Sequence, residues 1–307
     1  MDVKNALLNG DLLEEVYMQP LPGSTYPPHK VCKLQRALYG LKKASQAWFA
    51  KFRSTIHDCG FTSSSYDTVL FVRKTARGTT LLLLYVDDMI ITSDDVDGIL
   101  LLKQFLSHHF EIKDLGPLSY FLGLEISHDS TSSFLSQAKY TSDLLARAGL
   151  TDCKIPSSPL ETQSRLSPLD GSLLSNATLY CQLVGNIVYL IVTHSDIAYA
   201  VHIVSQYMSA PRTPHYNALF RILRYLKGTL FHRLHYSAHS SLQLCAFSDA
   251  DWVGDPTNHR STTGFCFFLG NSIISWRNKK QSLTAYSSTE AEHHALADTT
   301  QELLWLH

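Results

Sequence analysis

The chain has 307 residues, 45% of them hydrophobic and 17% charged, with 26 Lys+Arg, 27 Asp+Glu and a formal net charge of −1. Its length suggests about two domains, and its apolar content excludes a wholly disordered protein. No apolar run approaches the roughly 18 residues of a membrane-spanning helix, and no basic-then-apolar signal segment opens the chain, so we expect an intracellular protein, cytoplasmic or nuclear.

Apolar periodicity predicts a helix and a hairpin in the first half of the chain. Leu34, Leu38, Leu41, Trp48 and Phe52 recur near a helical period and predict one amphipathic helix that includes Gly40. Aliphatic residues at 80–86 and 89–92, on either side of two aspartates, predict a strand–turn–strand hairpin. A stretch rich in Pro, Gly and Ser at 151–178 indicates a linker or a long surface loop.

The second half of the chain predicts helices at 180–192 and 217–227 and strands at 242–247, 262–269 and 272–276. Gly270-Asn271 between the last two strands is a favoured two-residue hairpin turn. A last helix is expected at 287–306, opened by Ser287 with Glu290 three residues later as a capping box. The six cysteines form no CxxC pair, which predicts reduced, mostly buried thiols rather than a zinc site or disulfides.

Charge is unevenly distributed despite the near-zero total. Residues 16–57 contain seven Lys or Arg and no acid, and residues 197–248 contain five Lys or Arg and no acid. Residues 85–129 contain nine acids and two lysines. Such segregation is typical of proteins that bind phosphate backbones, although ordinary solvated faces explain any single patch equally well.

Tyr85-Val86-Asp87-Asp88 places two adjacent carboxylates at the predicted hairpin tip. Like charges this close raise one another's pKa, and a divalent cation with a preference for hard oxygen ligands relieves that cost. Two-metal phosphoryl transfer requires carboxylates in such an arrangement. An exposed Asp-Asp turn is the simpler alternative, and Asp2 is the candidate for a third ligand.

The segments around these aspartates resemble those of copia-type retrotransposon reverse transcriptases. Asp2-Val3-Lys4-Asn5-Ala6 is similar to the motif that opens the palm of these enzymes, and Tyr85-Val86-Asp87-Asp88 is similar to their catalytic hairpin. Other similar segments are Glu15-Val16-Tyr17-Met18-Gln19-Pro20, Ala37-Leu38-Tyr39-Gly40-Leu41-Lys42, Leu115-Gly116-Pro117-Leu118 and Arg224-Tyr225-Leu226-Lys227-Gly228-Thr229. The ordered series covers nearly the whole chain and is far more specific than any one motif.

The resemblance implies RNA-directed DNA polymerisation, with an RNA template, a DNA primer and deoxynucleoside triphosphates as partners. Asp2, Asp87 and Asp88 would hold two Mg²⁺ ions, or Mn²⁺, aided by the main-chain carbonyl of Val3. Leu7 occupies a position that is usually aromatic and screens the sugar 2′ position. Gly40 would lie under the template–primer, where the lack of a side chain allows close approach.

A second acidic cluster is expected near the end of the chain. Asp249 follows a predicted strand, and Glu292 shares a helical face with Leu296, Thr299 and Leu303, which predicts that it lies on the buried side. A salt-bridged core acid is an equally good interpretation from the residues alone. Glu290 is explained as a capping residue.

This second cluster resembles the ribonuclease H part of the same family. By that resemblance Asp249 and Glu292 are its first two metal ligands, and Asp251 is structural. The family's third aspartate follows the last helix, and its basic fingers strands precede the position of Asp2. We therefore expect Met1 to be an internal residue of a longer polyprotein and the ribonuclease site to be incomplete.

The resulting fold prediction is α+β: a reverse-transcriptase-like palm without fingers at 1–150, a linker and helical thumb or connection region at 151–240, and a partial RNase H-like fold at 241–307. The alternative function is a decayed transposon fragment without catalysis, at most a nucleic-acid-binding protein. Tyr216, Phe220, Tyr225 and Phe231 lie among basic residues and could stack on single-stranded bases, although helix-core packing is the favoured interpretation.

Overall fold

The computed structural model describes residues 1–20, 22–23, 30–150, 153–161, 166–255 and 257–306. The chain divides into two compact units, Met1–Leu118 and Ser119–His307. Both units combine helices with antiparallel sheets, as the predicted α+β class requires. None of the helices in the described part of the chain is long and apolar enough to cross a membrane.

The first unit is built on a six-stranded antiparallel sheet and a separate two-stranded ladder. Its strands are β1 (Asp2–Val3), β2 (Asp11–Met18), β3 (Cys32–Arg36), β4 (Thr62–Ser63), β5 (Leu70–Thr75), β6 (Gly78–Tyr85), β7 (Asp88–Ser93) and β8 (Ile112–Lys113). The large sheet has the order β4-β5-β6-β7-β1-β8, and β2 pairs with β3. The short strand β1 therefore lies inside the sheet, between β7 and β8.

Two helices pack in the first unit, α1 (Ala44–Asp58) and α2 (Val96–His109). The carboxylate of Asp95 caps α2 by accepting a 3.1 Å hydrogen bond from the Gly98 amide. Aromatic and aliphatic side chains from the helices and the sheet form one core, which includes Trp48, Phe52, Phe71, Leu82, Leu102, Leu106 and Phe110.

The predicted helix that included Gly40 is wrong in its first half. Leu34 belongs to strand β3, Gly40 lies in a turn with a φ of 90°, and the helix begins at Ala44. Trp48 and Phe52 are buried on α1 as expected. Leu34 and Leu38 matched the helical period by chance, and Leu38 is exposed rather than part of a buried helical face.

In the described residues of the second unit there are a four-stranded sheet, a three-stranded sheet and five α-helices. Its strands are β9 (Tyr120–Phe121), β10 (Leu124–His128), β11 (Ser132–Ser136), β12 (Leu234–Ser237), β13 (Leu244–Ala250), β14 (Thr262–Leu269) and β15 (Ser272–Lys280). Its helices are α3 (Ala138–Arg147), α4 (Ala177–Leu190), α5 (Ala198–Ser205), α6 (Thr213–Gly228) and α7 (Ser288–Leu306). The sheets have the orders β12-β11-β10-β9 and β13-β14-β15.

A core of helical side chains fills the middle of this unit. Buried residues of α3, α4, α5 and α6 contribute to it, among them Leu144, Tyr180, Ile187, Val201, Leu223 and Leu226. Asn176 caps α4 by accepting a 3.0 Å hydrogen bond from the Leu179 amide. The predicted helices at 180–192 and 217–227 are confirmed as α4 and α6.

The predicted hairpins are confirmed. Residues 80–85 fall in β6 and residues 89–92 in β7, and the three strands predicted after residue 242 are β13, β14 and β15. Leu269 pairs with Ser272, so Gly270 and Asn271 form the two-residue turn, with Gly270 at a φ of 58°. The positive φ explains why glycine occupies the turn.

The stretch predicted as a linker or loop, 151–178, is irregular where it is described up to residue 176, and its last two residues begin α4. Residues 153–161 and 166–176 contain no helix and no strand beyond an isolated bridge between Leu173 and Arg212. Leu166 is nevertheless buried in the core of the second unit. Residues 151–152 and 162–165 of this prediction lie outside the described residues.

All six cysteines are free thiols, as predicted, but each is only partly buried, so the prediction of mostly buried side chains is wrong. The predicted three-part division at residues 150 and 240 stays a prediction.

We predict that shortening a buried side chain in the core of the second unit lowers the stability of the protein. Ile187 is fully buried on α4, whereas its neighbour Val188 is 46% exposed. Ile187→Ala should lower the free energy of unfolding by about 2–5 kcal/mol, because it removes buried methyl groups and leaves a cavity. Val188→Ala should change it by less than about 0.5 kcal/mol. Urea denaturation followed by far-ultraviolet circular dichroism measures both values; equal losses would contradict this account of the core.

Candidate functional site

The first acidic cluster lies at the tip of the β6–β7 hairpin. Tyr85 pairs with Asp88, so Val86 and Asp87 form a two-residue turn. Turns of this length favour positive φ at a central position, and Val86 has a φ of 53°. A β-branched residue in that conformation is strained. The indole Nε1 of Trp48 donates a 2.6 Å hydrogen bond to the Val86 carbonyl, which anchors the turn to α1.

Strand β1 places Asp2 beside this turn. Asp2 pairs with Asp88 across the β1–β7 ladder. The Val3 amide donates to the Asp87 carbonyl and the Met89 amide donates to the Met1 carbonyl, both at 2.8 Å. Residues directly opposite each other in an antiparallel pair have Cβ atoms about 4.5–5.5 Å apart. The fold therefore gathers the three predicted aspartates of the first unit in one place.

Mutual repulsion and burial act on these carboxylates. The pKa of Asp88 is raised, first by its partial burial and then by the nearby charges of Asp87 and Asp2, while the amino group of Met1 acts in the opposite direction. Asp87 is exposed, and Asp2 is half-buried like Asp88. Three oxygen-donor side chains suit a hard divalent cation, which would relieve this repulsion. As the described residues stand, however, no three His, Cys, Asp or Glu side chains converge into a metal-binding group.

The other residues predicted for this site occupy different surroundings. Val3 is buried in the core of the first unit, and Leu7, on a 3₁₀ helix at Ala6–Asn9, packs partly buried against that core. A Cβ atom on Gly40 would meet no atom within 4 Å, so its positive φ, rather than crowding within the protein, accounts for the glycine. The open space above Gly40 allows another molecule to approach.

The second acidic cluster joins the end of β13 to the start of α7. The Oε1 atom of Glu292 accepts a 3.4 Å hydrogen bond from the Ala250 amide, which directly follows Asp249. Asp249 and Glu292 are both exposed. The two predicted acids are therefore close neighbours in the fold, at the surface.

The prediction that Glu292 lies on the buried side of its helix is wrong. The buried residues of α7 are Ala291, Ala295 and Thr299, whereas Leu296 is 58% exposed. Small side chains let the helix pack closely on β13 and β14. The prediction took Leu296 as buried, whereas Ala295 is the buried residue, so the predicted buried face was displaced by one residue along the helix.

Two further acids of this region are structural, as expected. The Oδ1 atom of Asp251 accepts a 2.5 Å hydrogen bond from the Thr262 amide and ties β13 to β14. Ser287 accepts a 3.1 Å hydrogen bond from the Glu290 amide, and the Glu290 carboxylate accepts one of 2.7 Å from the Tyr286 amide. These contacts confirm the predicted cap at the start of α7.

The predicted basic stretch at 16–57 is partly neutralised by acids that precede it. Lys33, Lys43 and Lys51 pair with Glu15, Glu14 and Asp11 of β2 at 2.5, 2.6 and 2.8 Å. In the other basic stretch Arg221 pairs with Glu161 at 2.9 Å. Counting charges by segment missed these pairs, because the partners meet only after folding. Spacing also gave no signal that Trp48 holds the Val86 turn.

We predict that the raised pKa of Asp88 makes the folded state less stable at neutral pH. A carboxyl whose pKa is higher in the folded state lowers stability once it ionises, and this loss disappears as the pH falls through the raised pKa. Asp88→Asn should therefore raise the thermal midpoint at pH 7 without added metal, and the difference from the unmodified protein should shrink at acidic pH.

A matched control is Asp97→Asn, because Asp97 lies in the first turn of α2, where a negative charge is favourable. This control should leave the midpoint unchanged or lower it slightly. A lower midpoint for Asp88→Asn at pH 7 would show that Asp88 is stabilised by contacts that outweigh the repulsion.

Comparison with known proteins identifies the family to which the chain is similar. Residues 1–162 match the protein family described as reverse transcriptase (RNA-dependent DNA polymerase). The whole chain is 42% identical over 308 residues to the retrovirus-related Pol polyproteins from transposons RE2 and RE1 of Arabidopsis thaliana, covering 21% of each. It is 39% identical over its full length to the Pol polyprotein from transposon TNT 1-94 of Nicotiana tabacum, covering 24% of that protein.

A putative transposon Ty5-1 protein of Saccharomyces cerevisiae is similar over a comparable length. It is 30% identical to 99% of this chain, and the match covers 100% of the yeast protein. The chain spans only about a fifth of the length of the Arabidopsis Pol polyproteins. Its extent, its motif order and the family match agree: the chain belongs to the reverse transcriptase family of copia-type retrotransposon Pol polyproteins.

Proposed function

We propose that this chain contributes the polymerase centre for RNA-directed DNA synthesis, by two-metal nucleotidyl transfer to the 3′-hydroxyl of a DNA primer. The observation that carries the proposal is the pairing of Asp2 with Asp88, next to the turn that presents Asp87. The family match supports the same activity. Because the chain spans about a fifth of the Pol polyproteins, the activity of the whole protein is part of this proposal.

Asp2, Asp87 and Asp88, with the main-chain carbonyl of Val3, would hold Mg²⁺ or Mn²⁺. Bound there, the ions would supply charge stabilisation for the phosphates and a lower pKa for the primer hydroxyl. The protein residues hold negative charge where strands β6, β7 and β1 of the large sheet meet. Asp88 must ionise before it can act as a ligand, so its raised pKa works against binding at acidic pH.

The remaining residues of the first unit would position the nucleic acid and the triphosphate. Leu7 would lie beside the sugar of the incoming deoxynucleoside triphosphate. The open space at Gly40 would admit the backbone of the RNA template or the DNA primer. In the proposed division, residues 1–150 form the palm, 151–240 the linker and thumb or connection region, and 241–307 a partial RNase H.

For the RNase H part, Asp249 and Glu292 are the proposed ligands of a further divalent cation that acts on the RNA strand of an RNA–DNA hybrid. The hydrogen bond from the Ala250 amide to Glu292 supports their pairing. Their exposure leaves both carboxylates accessible to a substrate.

We predict primer extension that depends on the acidic turn. The purified chain should extend a DNA primer on an RNA template with deoxynucleoside triphosphates and Mg²⁺. Asp87→Ala should reduce extension to the level without protein, because Asp87 is one of three proposed ligands and its exposed side chain contributes little to folding. Gel electrophoresis of a labelled primer measures the product.

Asp97→Asn is the control, since it removes an exposed carboxylate elsewhere in the first unit and should retain extension. Extension by the unmodified chain no greater than that by Asp87→Ala would overturn the proposal for this chain. In that case, nucleic-acid binding by the chain can still be measured. Salt-sensitive binding that does not depend on Asp2, Asp87 or Asp88 would support the alternative, a decayed fragment that binds nucleic acid without catalysis.

A separate prediction concerns the second cluster. If Asp249 and Glu292 act together, Asp249→Asn and Glu292→Gln should each abolish Mg²⁺-dependent cleavage of a labelled RNA strand within an RNA–DNA hybrid. Asp298→Asn, on the same helix as Glu292, should retain cleavage, because Asp298 forms an ion pair with Lys279 at 3.6 Å and is not one of the proposed metal ligands. Cleavage unaffected by Asp249→Asn, or no cleavage by the unmodified chain, would remove the RNase H assignment and leave the polymerase proposal intact.

A further inference from the structure

The second unit contains a cavity that the proposed catalytic residues do not use. Its volume is about 670 Å³, within the range of small-ligand sites. The segment after α4, the C-terminal part of α6, and strands β11 and β12 with the loop before them enclose it. Its lining combines aromatic rings, one arginine and several histidines.

Two phenylalanines offer flat apolar surfaces to this cavity. Phe231, in the loop between α6 and β12, is 78% exposed, although a large apolar side chain gains nothing from water contact. Phe134 lies on β11 opposite His235 of β12, with ring centroids 5.2 Å apart. The other aromatic residues that the sequence suggested as base-stacking candidates, Tyr216, Phe220 and Tyr225, pack against the helical core.

Positive charge lies at the same place. The guanidinium carbon of Arg233 lies 5.2 Å from the centre of the Phe134 ring, and His232 precedes it in the cavity lining. Among the described residues neither side chain forms an ion pair within 4.0 Å, whereas Arg221 on α6 is paired with Glu161. Arg233 is therefore available to a negatively charged ligand.

The one acidic residue among the described residues of the lining, Asp196, already interacts with other residues of the cavity. Asp196 accepts a 2.7 Å hydrogen bond from the hydroxyl of Tyr225 and lies 3.7 Å from Nδ1 of His194. Burial acts to raise the pKa of Asp196, but its interactions with His194 and Tyr225 outweigh this effect and lower that pKa. Burial and the bond to Asp196 raise the pKa of Tyr225 to about 12, so its hydroxyl remains a donor.

The wall also holds an unused polar atom. His194 is 2% exposed, and its Nε2 atom is buried without a hydrogen-bond partner among the described residues. Because this nitrogen is shielded from solvent, the polar groups that a ligand can contact are the exposed ones of the lining, such as His232 and Arg233. A ligand with hydrogen-bonding edges, an aromatic face and a negative charge matches the lining.

We propose that this cavity binds one unpaired nucleotide of a single-stranded nucleic acid, with its base against Phe231 and its phosphate at Arg233. Aromatic side chains beside cationic ones are the arrangement by which proteins hold single strands without reading their sequence. A base within a duplex presents no free face, so the site selects unpaired strands. The proposal does not depend on the aspartates of the polymerase centre.

Binding of labelled oligonucleotides to the full chain, followed by fluorescence anisotropy without divalent metal, tests this site. Phe231→Ala and Arg233→Ala should each weaken binding of single-stranded oligothymidylate by about tenfold, in line with the loss of one stacked base or one phosphate contact. Affinity for a blunt duplex of the same length should be unchanged. Both side chains are exposed, so the variants should keep the unfolding midpoint of the unmodified protein.

Matched controls are Phe247→Ala, an exposed phenylalanine on β13, and Arg147→Ala, an exposed arginine on α3. Both should bind the single strand normally. Equal weakening by the control variants, or no weakening by Phe231→Ala, would overturn the proposal. Full displacement of the strand by thymidine monophosphate at matched nucleotide concentration would also overturn it, in favour of a free-nucleotide site. Asp87→Ala should bind like the unmodified protein, which separates this result from failure of the polymerase proposal.

Discussion

The acidic centre of the first unit depends on the backbone pairing of a strand only two residues long. Like charges directly opposite each other in an antiparallel pair are unfavourable, and Asp2 faces Asp88 in such a pair. Two 2.8 Å amide–carbonyl hydrogen bonds flank that pair, each worth about 0.5–1.5 kcal/mol. Val3 is 1% exposed in the core, and burial of a valine contributes about 1.5–3 kcal/mol. Together these contributions outweigh the repulsion and keep the aspartates adjacent.

In the turn that presents Asp87, an unfavourable backbone conformation is likewise offset by a favourable contact. Val86 is held at a φ of 53°, a strained conformation that costs about 1–3 kcal/mol. The indole of Trp48 bonds the Val86 carbonyl and is itself buried at 1% exposure, in edge contact with Phe110. The hydrogen bond from this buried indole therefore offsets strain in the turn that presents the charged side chain of Asp87. Strain of this kind is concentrated at functional sites, which agrees with the role proposed for Asp87.

Sequence patterns between neighbouring residues predicted the hairpins correctly, but they did not predict the contacts between distant segments, the start of one helix or the buried face of another. The aliphatic-rich strands on either side of Asp87 and the Gly270-Asn271 turn follow from residues that are neighbours in sequence. The approach of Asp2 to Asp88 spans most of the first unit, and only resemblance to a family suggested it. The helix through Gly40 failed because apolar spacing alone cannot separate a strand and turn from a helical turn. Glu292 was placed inward because leucine was preferred to alanine as the buried residue, whereas close packing of α7 required Ala291 and Ala295.

The sequence did not reveal which basic side chains form ion pairs in the folded chain. Arg221 and Arg233 belong to the same acid-free stretch, yet Arg221 bonds Glu161, an acid distant in sequence, while Arg233 lies against Phe134. Lys33, Lys43 and Lys51 are likewise paired with acids of β2. Exposed pairs of this kind contribute little to stability, about 0–1 kcal/mol each, but they reduce the positive potential that a phosphate meets. The proposed binding of a nucleic acid therefore depends less on the number of lysines and arginines than on which of them the fold leaves without an acidic partner.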